Sequence, residues 1–305
     1  MIWDRAAEAA TVPPDPGATL LREMAVSSPQ QIHQVTIIRP ASGWTTPRIA
    51  EAWQERELLY YFVTRDVKVR YAQTLFGAFW AFFQPIGMML VFTFAFRKLG
   101  RVQTENVPYP IFVFAGLTFW TFFSRAVLSG ADSLVANAGL LTKTALPRLL
   151  LPVAGIVSAM FDFAVTFIIL VVFAAYYGYY PTWHYIFIPI VLAFGFTLTF
   201  GLSLLLCAVN VQYRDVRNLL PMTVQLLLFA SPVVYSLNTL GEKWTQVLAC
   251  INPLVGIIQG FRWAVIGTGP PSHLAIVSSV AYTAVLLVIG FAYFGRVERK
   301  FADVA

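Results

Sequence analysis

Charge is scarce in this 305-residue chain. Lys, Arg, Asp and Glu together make up 12% of it, about half the share in an ordinary soluble domain. Residues 163 to 213 contain none of the four, a run of fifty-one positions. Such a chain cannot clothe a water-soluble core. Cysteine is nearly absent as well. Cys207 and Cys250 fall in or near apolar runs and match no metal or redox spacing, which excludes a disulfide framework. The three histidines, His33, His184 and His273, are too scattered to read as a ligand cluster. No GxxxxGKS/T loop, HExxH helix or GxSxG elbow occurs. No enzyme site is therefore visible, no metal or cofactor is expected in this chain, and any work it does must draw on a gradient or a partner. A secretory signal is missing too, since the first 47 residues hold no apolar core of about 7 to 15 residues. That places the N-terminus in the cytoplasm.

What the chain has is apolar surface: it is 58% hydrophobic, with 26 Phe, 13 Tyr and 8 Trp. A bilayer-crossing helix needs about 20 mostly apolar residues, because hydrocarbon leaves no backbone group unpaired. Six stretches meet the requirement. They lie between Arg70 and Arg97, from Tyr109, from Leu149 to about Tyr177, over roughly 185 to 209, from about Leu219 to Tyr235, and from about Leu274 to Gly295. An even count puts both termini on one side. With the N-terminus inside, fifteen basic residues fall on inner segments and five on outer ones, as the positive-inside rule requires. The net charge of +6 then reflects inner loops rather than a nucleic-acid partner. The cluster Arg97, Lys98 and Arg101 at the outer end of the first span runs against this pattern, and outer-loop solvation explains it more simply than a phosphate site.

The expected fold is an all-α membrane protein with six transmembrane helices, an N-terminal interfacial amphipathic helix and short external re-entrant helices. Residues 1–45 form an N-terminal tail, 46–70 the interfacial helix, 71–295 the transmembrane domain and 296–305 a C-terminal tail. In the interfacial stretch, Thr46 can cap and Pro47 suits the first helical position. Trp53, Leu59, Tyr60 and Val63, with Ile49 and Ala52, share an arc of roughly 120°, which Arg56 interrupts. This helix is either an anchor for the first span or a moving element at the mouth of a pathway.

Residues 130–148 are too polar for hydrocarbon, and Pro147 ends them. They form either a solvated connector or a short helix offering Leu134, Leu140 and Leu141 to a soluble partner. Residues 236–273 hold two short apolar pieces divided by Asn252-Pro253, suited to re-entrant or interfacial helices. The charges of NVQYRDVRNLLP (210–221), Arg214, Asp215 and Arg217, join spans four and five on the inner side. Arg65 and Asp66 echo them before span one. Arg65 and Arg214 suit lipid phosphates, and Asp66 and Asp215 suit salt bridges or caps. Two charges fall inside spans and are functional candidates for that reason. Arg125 sits where it can snorkel to the inner headgroups, whereas Asp162 lies deeper with no partner nearby in sequence.

Six ordered strings carry a family likeness: RELLYYFVTRDVKVRYAQTLFGAFWAFFQP (56–85), VPYPIFVFAGLTFWTFFS (107–124), LLTKTALPRLLLP (140–152), NVQYRDVRNLLP (210–221), SPVVY (231–235) and INPLVGIIQGFRWAVIG (251–267). Over residues 36 to 300 the chain resembles the membrane-spanning subunit of ABC type 2 exporters, in the branch that exports O-antigen and related lipid-linked polysaccharides. The resemblance implies a homodimer in the bacterial inner membrane, with one ATP-hydrolysing subunit docked beneath each copy and ATP and Mg bound in that partner. It makes the interfacial helix, with Trp53, Arg56, Tyr60, Tyr61, Arg65 and Asp66, a gate helix. It makes residues 130–148, with Leu134, Leu140, Leu141, Lys143 and Arg148, a coupling helix, and residues 236–273 external gate helices. The implied substrate is a polysaccharide on undecaprenyl diphosphate. Teichoic acid, capsule or a small hydrophobic compound would suit the same architecture. A gradient-driven transporter would need an acidic relay, and a glycosyltransferase an acidic catalytic pair; the sequence offers neither.

Overall fold

Helices form along each apolar run. The computed structural model describes residues 53 to 72, 77, 80 to 99, 104, 107 to 141, 143 and 146 to 304, and among them there is no strand. Ten α-helices follow one another in these residues: α1 (Arg56–Tyr71), α2 (Trp80–Leu99), α3 (Tyr109–Ala136), α4 (Ala138–Leu141), α5 (Leu150–Tyr176), α6 (Ile188–Gln212), α7 (Asp215–Ala230), α8 (Glu242–Ile251), α9 (Leu254–Ile266) and α10 (His273–Val304). Between α5 and α6 the chain turns through Gly178, at φ 84, where a side chain would be strained. It then passes Pro181 into a 3-10 turn, Trp183–Phe187.

Among the described residues four segments are long and apolar enough to cross a bilayer: Tyr109–Ala136, Leu150–Tyr176, Trp183–Gln212 and His273–Glu298. The pair α8 and α9, bent by 106° at Asn252-Pro253, would make a fifth if counted as one span. The first and fifth expected spans come out shorter. The apolar part of α2 runs only Phe83–Phe96, and α7 has 16 residues because the chain turns extended at Ser231.

α3 occupies the middle, packed against α5, α6, α2 and α9. Its side chains are buried without a gap from Ile111 to Phe123. α6 lies against α10 where Gly201 faces Gly290, and a Cβ on either glycine would drive into the opposite backbone. Helices in lipid associate through this kind of close approach and through bonds between them. Two such bonds are Asn210 Nδ2 to Ala131 O at 3.0 Å and Ser203 Oγ to Ala126 O at 3.4 Å. A second core gathers Phe62, Leu134, Leu149, Leu151, Leu204, Cys207, Phe294 and Val297. The first half of α1, the ends of α3, α6 and α10 and the start of α5 therefore meet at one end of the bundle. This is the end to which the sequence assigns the cytoplasmic segments.

Two expected boundaries shift. Residues 130–148 are not one helix: 130–136 complete α3, Asn137 breaks it, and α4 adds a single turn. The interfacial helix ends at Tyr71, within one residue of the expected 70, while the Thr46 and Pro47 cap lies outside the described residues. Residues 296–304 continue α10 rather than forming a tail, since Arg, Glu and Lys are good helix formers and nothing after Gly295 breaks the turn.

Candidate functional site

The intramembrane charges meet. One carboxylate oxygen of Asp162, on α5, accepts from Arg125 of α3 at 2.8 Å and from Arg70 at the end of α1. The other accepts from the hydroxyl of Tyr71. Arg70 Nη2 also donates to Ser158 Oγ at 3.3 Å, and Arg125 Nη2 to Gln84 Oε1 of α2 at 3.1 Å. Four helices thus converge on one carboxylate, whose side chain is only 4% exposed. Burial, and next the hydrogen bond to Asp162, push the Tyr71 phenol up to about 12, so it remains a donor at neutral pH. Arg125 was expected to snorkel to the headgroups; instead it turns inward, because the ion pair with Asp162 is within reach on the neighbouring helix.

At the charged end three further links tie the helices. Arg65 Nη2 lies 2.9 Å from Asp66 Oδ1, donates to Asn137 Oδ1 at 3.0 Å, and has its guanidinium 5.1 Å from the Phe62 ring centre. Arg217 grips Asp132 through Nη2 to Oδ2 and Nε near Oδ1, both 3.0 Å. Arg148 donates to the backbone oxygen of Glu298. Burial lowers Arg148 from its ordinary value, and the charge of Glu298 opposes that shift. Arg214 and Asp215 are exposed at the start of α7. Asp215 lies in the first turn, where a negative charge suits the helix dipole.

The residues offered for docking and gating are sorted by their environment. Leu134 is 2% exposed, packed in the core of the charged end, and so does not face a partner. Leu140 and Leu141 pack half-buried against the same core, and Lys143 is exposed. On α1 the packed face is Leu58, Leu59, Phe62 and Val63, while Arg56, Tyr60 and Tyr61, and Trp53 just before the helix, are exposed. The side chains of Arg97 and Lys98, and the whole of Arg101, lie outside the described residues.

At the other end Arg262, one of the five basic residues counted on the outer segments and part of the stretch read as re-entrant or interfacial helix, is 2% exposed. Its guanidinium donates to the backbone oxygens of Phe112 at 3.1 Å, Pro232 at 2.6 Å and Val233, and stacks 3.7 Å from the Phe112 ring centre. Asn252 holds the same stretch, donating to Ala230 O at 3.0 Å and Ser231 Oγ at 2.8 Å. Its Oδ1 accepts from the Leu254 backbone at 3.0 Å. Tyr109 donates to Val234 O at 2.9 Å. Once α7 stops, the carbonyls that follow have no helical partner, and these three side chains supply the donors. A lone Arg within the apolar run LVGIIQGFRWAVI was the signal that could have found it.

Fold and site together define a polytopic helical membrane protein with a polar knot between its helices. Residues 57–266 match the ABC-2 type transporter family, and the chain belongs to it. It is similar to the O-antigen export system permease protein RfbA of Myxococcus xanthus, at 31% identity over 84% of this chain and 98% of that protein. It is also similar to a Klebsiella pneumoniae protein of the same name, at 26% over 81% and 95%. The Polysialic acid transport protein KpsM of Escherichia coli is 20% identical over 77% of this chain and 91% of its own.

Proposed function

We propose that this chain is the membrane-spanning, non-catalytic subunit of an ATP-driven exporter that carries an O-antigen-like polysaccharide on a polyprenyl diphosphate lipid across the bacterial inner membrane. The observation that carries this reading is the alignment with RfbA over nearly its full length. Two copies form the conduit above two ATPase subunits, which bind ATP and Mg. Both termini face the cytoplasm. α2 and α7, together with the four long helices, make six spans, and the bent pair α8 and α9 is re-entrant from the outer side.

α4, with Leu140, Leu141 and the exposed Lys143, is the contact for the ATPase, and α1 is the gate helix. Arg65 bonded to Asn137 supports this arrangement, since it joins the two elements that such a mechanism must move together. The similarity to KpsM favours a second reading, in which the cargo is a capsule-type polymer. Depleting the protein and identifying the lipid-linked glycan that accumulates on the inner face tests both. An O-antigen-type repeat supports the first reading and a capsule repeat the second, while accumulation of no lipid-linked glycan would overturn the substrate assignment.

A further inference from the structure

Asp162 has two charged partners where one would neutralise it. The same carboxylate oxygen, Oδ2, accepts from Arg70 and, at 2.8 Å, from Arg125. The two arginines differ in what carries them. Arg125 stands on α3 with Phe123 and Ala126 buried beside it, on a helix packed against α5, and its Nη2 is held by Gln84 Oε1 at 3.1 Å. Arg70 is the penultimate residue of α1, and the backbone turns extended at Ala72, directly after the helix. One partner is fixed in the bundle; the other rides on a helix end.

That helix end is lightly packed. Among the described residues of α1 only Phe62 is buried, eight positions before Arg70, or about 12 Å along the axis. Past it, Lys68 and Val69 are exposed. Asp162 receives both Arg70 and the Tyr71 hydroxyl, so one carboxylate on α5 gathers the last two residues of α1. Ser158 also accepts from Arg70, at 3.3 Å. Its own hydroxyl donates to Gly155 O at 2.9 Å, so it keeps a partner without α1.

The doubled pairing changes what release of α1 would cost. Breaking a buried ion pair is expensive because it leaves one charge buried and unanswered. If α1 swings away, Asp162, at 4% exposed, keeps Arg125 and is not left bare. Arg70, already 30% exposed, carries its charge on a long stem that can reach headgroups or water. Without Arg125 the same motion would strand the carboxylate.

We propose that Arg70 and Asp162 form a releasable latch on the end of α1, and that Arg125 is the positioning residue that makes it releasable, by keeping Asp162 neutralised whether α1 is held or free. Calling the latched state a closed gate rests on the export reading above; the latch itself does not depend on what is carried.

Hydrogen exchange of the purified full chain tests it, read on the α1 amides from Val67 to Tyr71. The two arginine variants should move in opposite directions. R70M should speed exchange by roughly tenfold, as loss of one charge-assisted bond predicts. Its thermal midpoint should fall far less than that of D162A, because Arg125 still pairs the carboxylate. R125M should slow exchange of the same amides by about the same factor, since opening would now leave Asp162 bare. In D162N/R125M that slowing should vanish. Faster exchange in both single variants would overturn the latch and make the knot a plain structural cluster. A midpoint in R70M as low as in D162A would overturn it as well, and this arm decides alone if R125M does not fold. If the opposite shifts appear and depletion of the protein accumulates no lipid-linked glycan, the latch stands and the export reading falls. If the shifts fail while the glycan accumulates, the latch falls and the export reading stands.

Discussion

Arg65 donates to the side chain of Asn137 at 3.0 Å, joining α1 to the residue at which α3 stops and α4 begins. Asn137 is held in turn by its own bond to Ser133 O at 2.8 Å, so displacement of α4 reaches α1 through one side-chain contact. In a reconstituted complex with its ATPase, N137A and R65M should leave ATP hydrolysis within about twofold of wild type, since each removes a partly exposed bond of about 1 kcal/mol. Polysaccharide export should fall well beyond that factor. Export that tracks hydrolysis in both variants would show that the contact transmits nothing.

Asp162 anchors two arginines, so its removal leaves like charges facing each other. Breaking a buried pair costs about 3–5 kcal/mol, and the partial exposure of both arginines brings the expectation for D162A to the lower end. The thermal midpoint of the detergent-solubilised protein measures it. D162A combined with R125Q should be less destabilised than D162A alone.

Tyr71 gives the same knot a pH signature. Its pKa is raised from 10.0 to about 12, so the folded state holds the proton more tightly than the unfolded chain does. Its stabilising share is complete below about pH 10 and is lost as pH rises towards 12. Y71F should therefore lower the midpoint at pH 7 and converge on wild type at high pH. A constant difference across that range would place the effect in packing instead.

Leu134 and Leu141 separate core from surface within one short segment. L134A opens a cavity in the core of the charged end and should cost about 2–5 kcal/mol. L141A should cost less and act chiefly on stimulation of the ATPase, read as hydrolysis with and without the membrane subunit. A large loss of thermal stability in L141A with normal stimulation would remove it from the docking surface.

Arg262 and Gly116 should share a phenotype. A Cβ at Gly116 collides with the guanidinium, so G116A and R262M both strip donors from the Pro232 and Val233 carbonyls, at about 1–3 kcal/mol for each buried group left unmet. Faster proteolysis within residues 236–273 is the expected readout in each. Protection equal to wild type in G116A would mean that the guanidinium has another seat.

The apolar runs made the long helices legible, because nothing but helix satisfies a backbone in hydrocarbon. The side-chain pairings were not legible. Asp162 finds Arg70 ninety-two positions away, and no local pattern encodes such a distance. Helix ends were equally hidden. Asn137 breaks 130–148 with neither Gly nor Pro, and the charges after Gly295 look like a tail although they are good helix formers. The burial of Arg262 was hidden for a related reason. Its piece was read as a re-entrant or interfacial helix, and only the carbonyls the guanidinium satisfies reveal that it is buried.

The uninterrupted burial of α3 from Ile111 to Phe123 has a consequence for variation. A helix with one lipid face accepts substitutions at every third or fourth position. α3 has no such face here, so a substitution scan along this stretch should show no helical period, whereas α10, with Val277, Val285 and Val288 exposed, should show a clear one. α3 is the packed centre of the described helices, and every change along this stretch is felt by its neighbours.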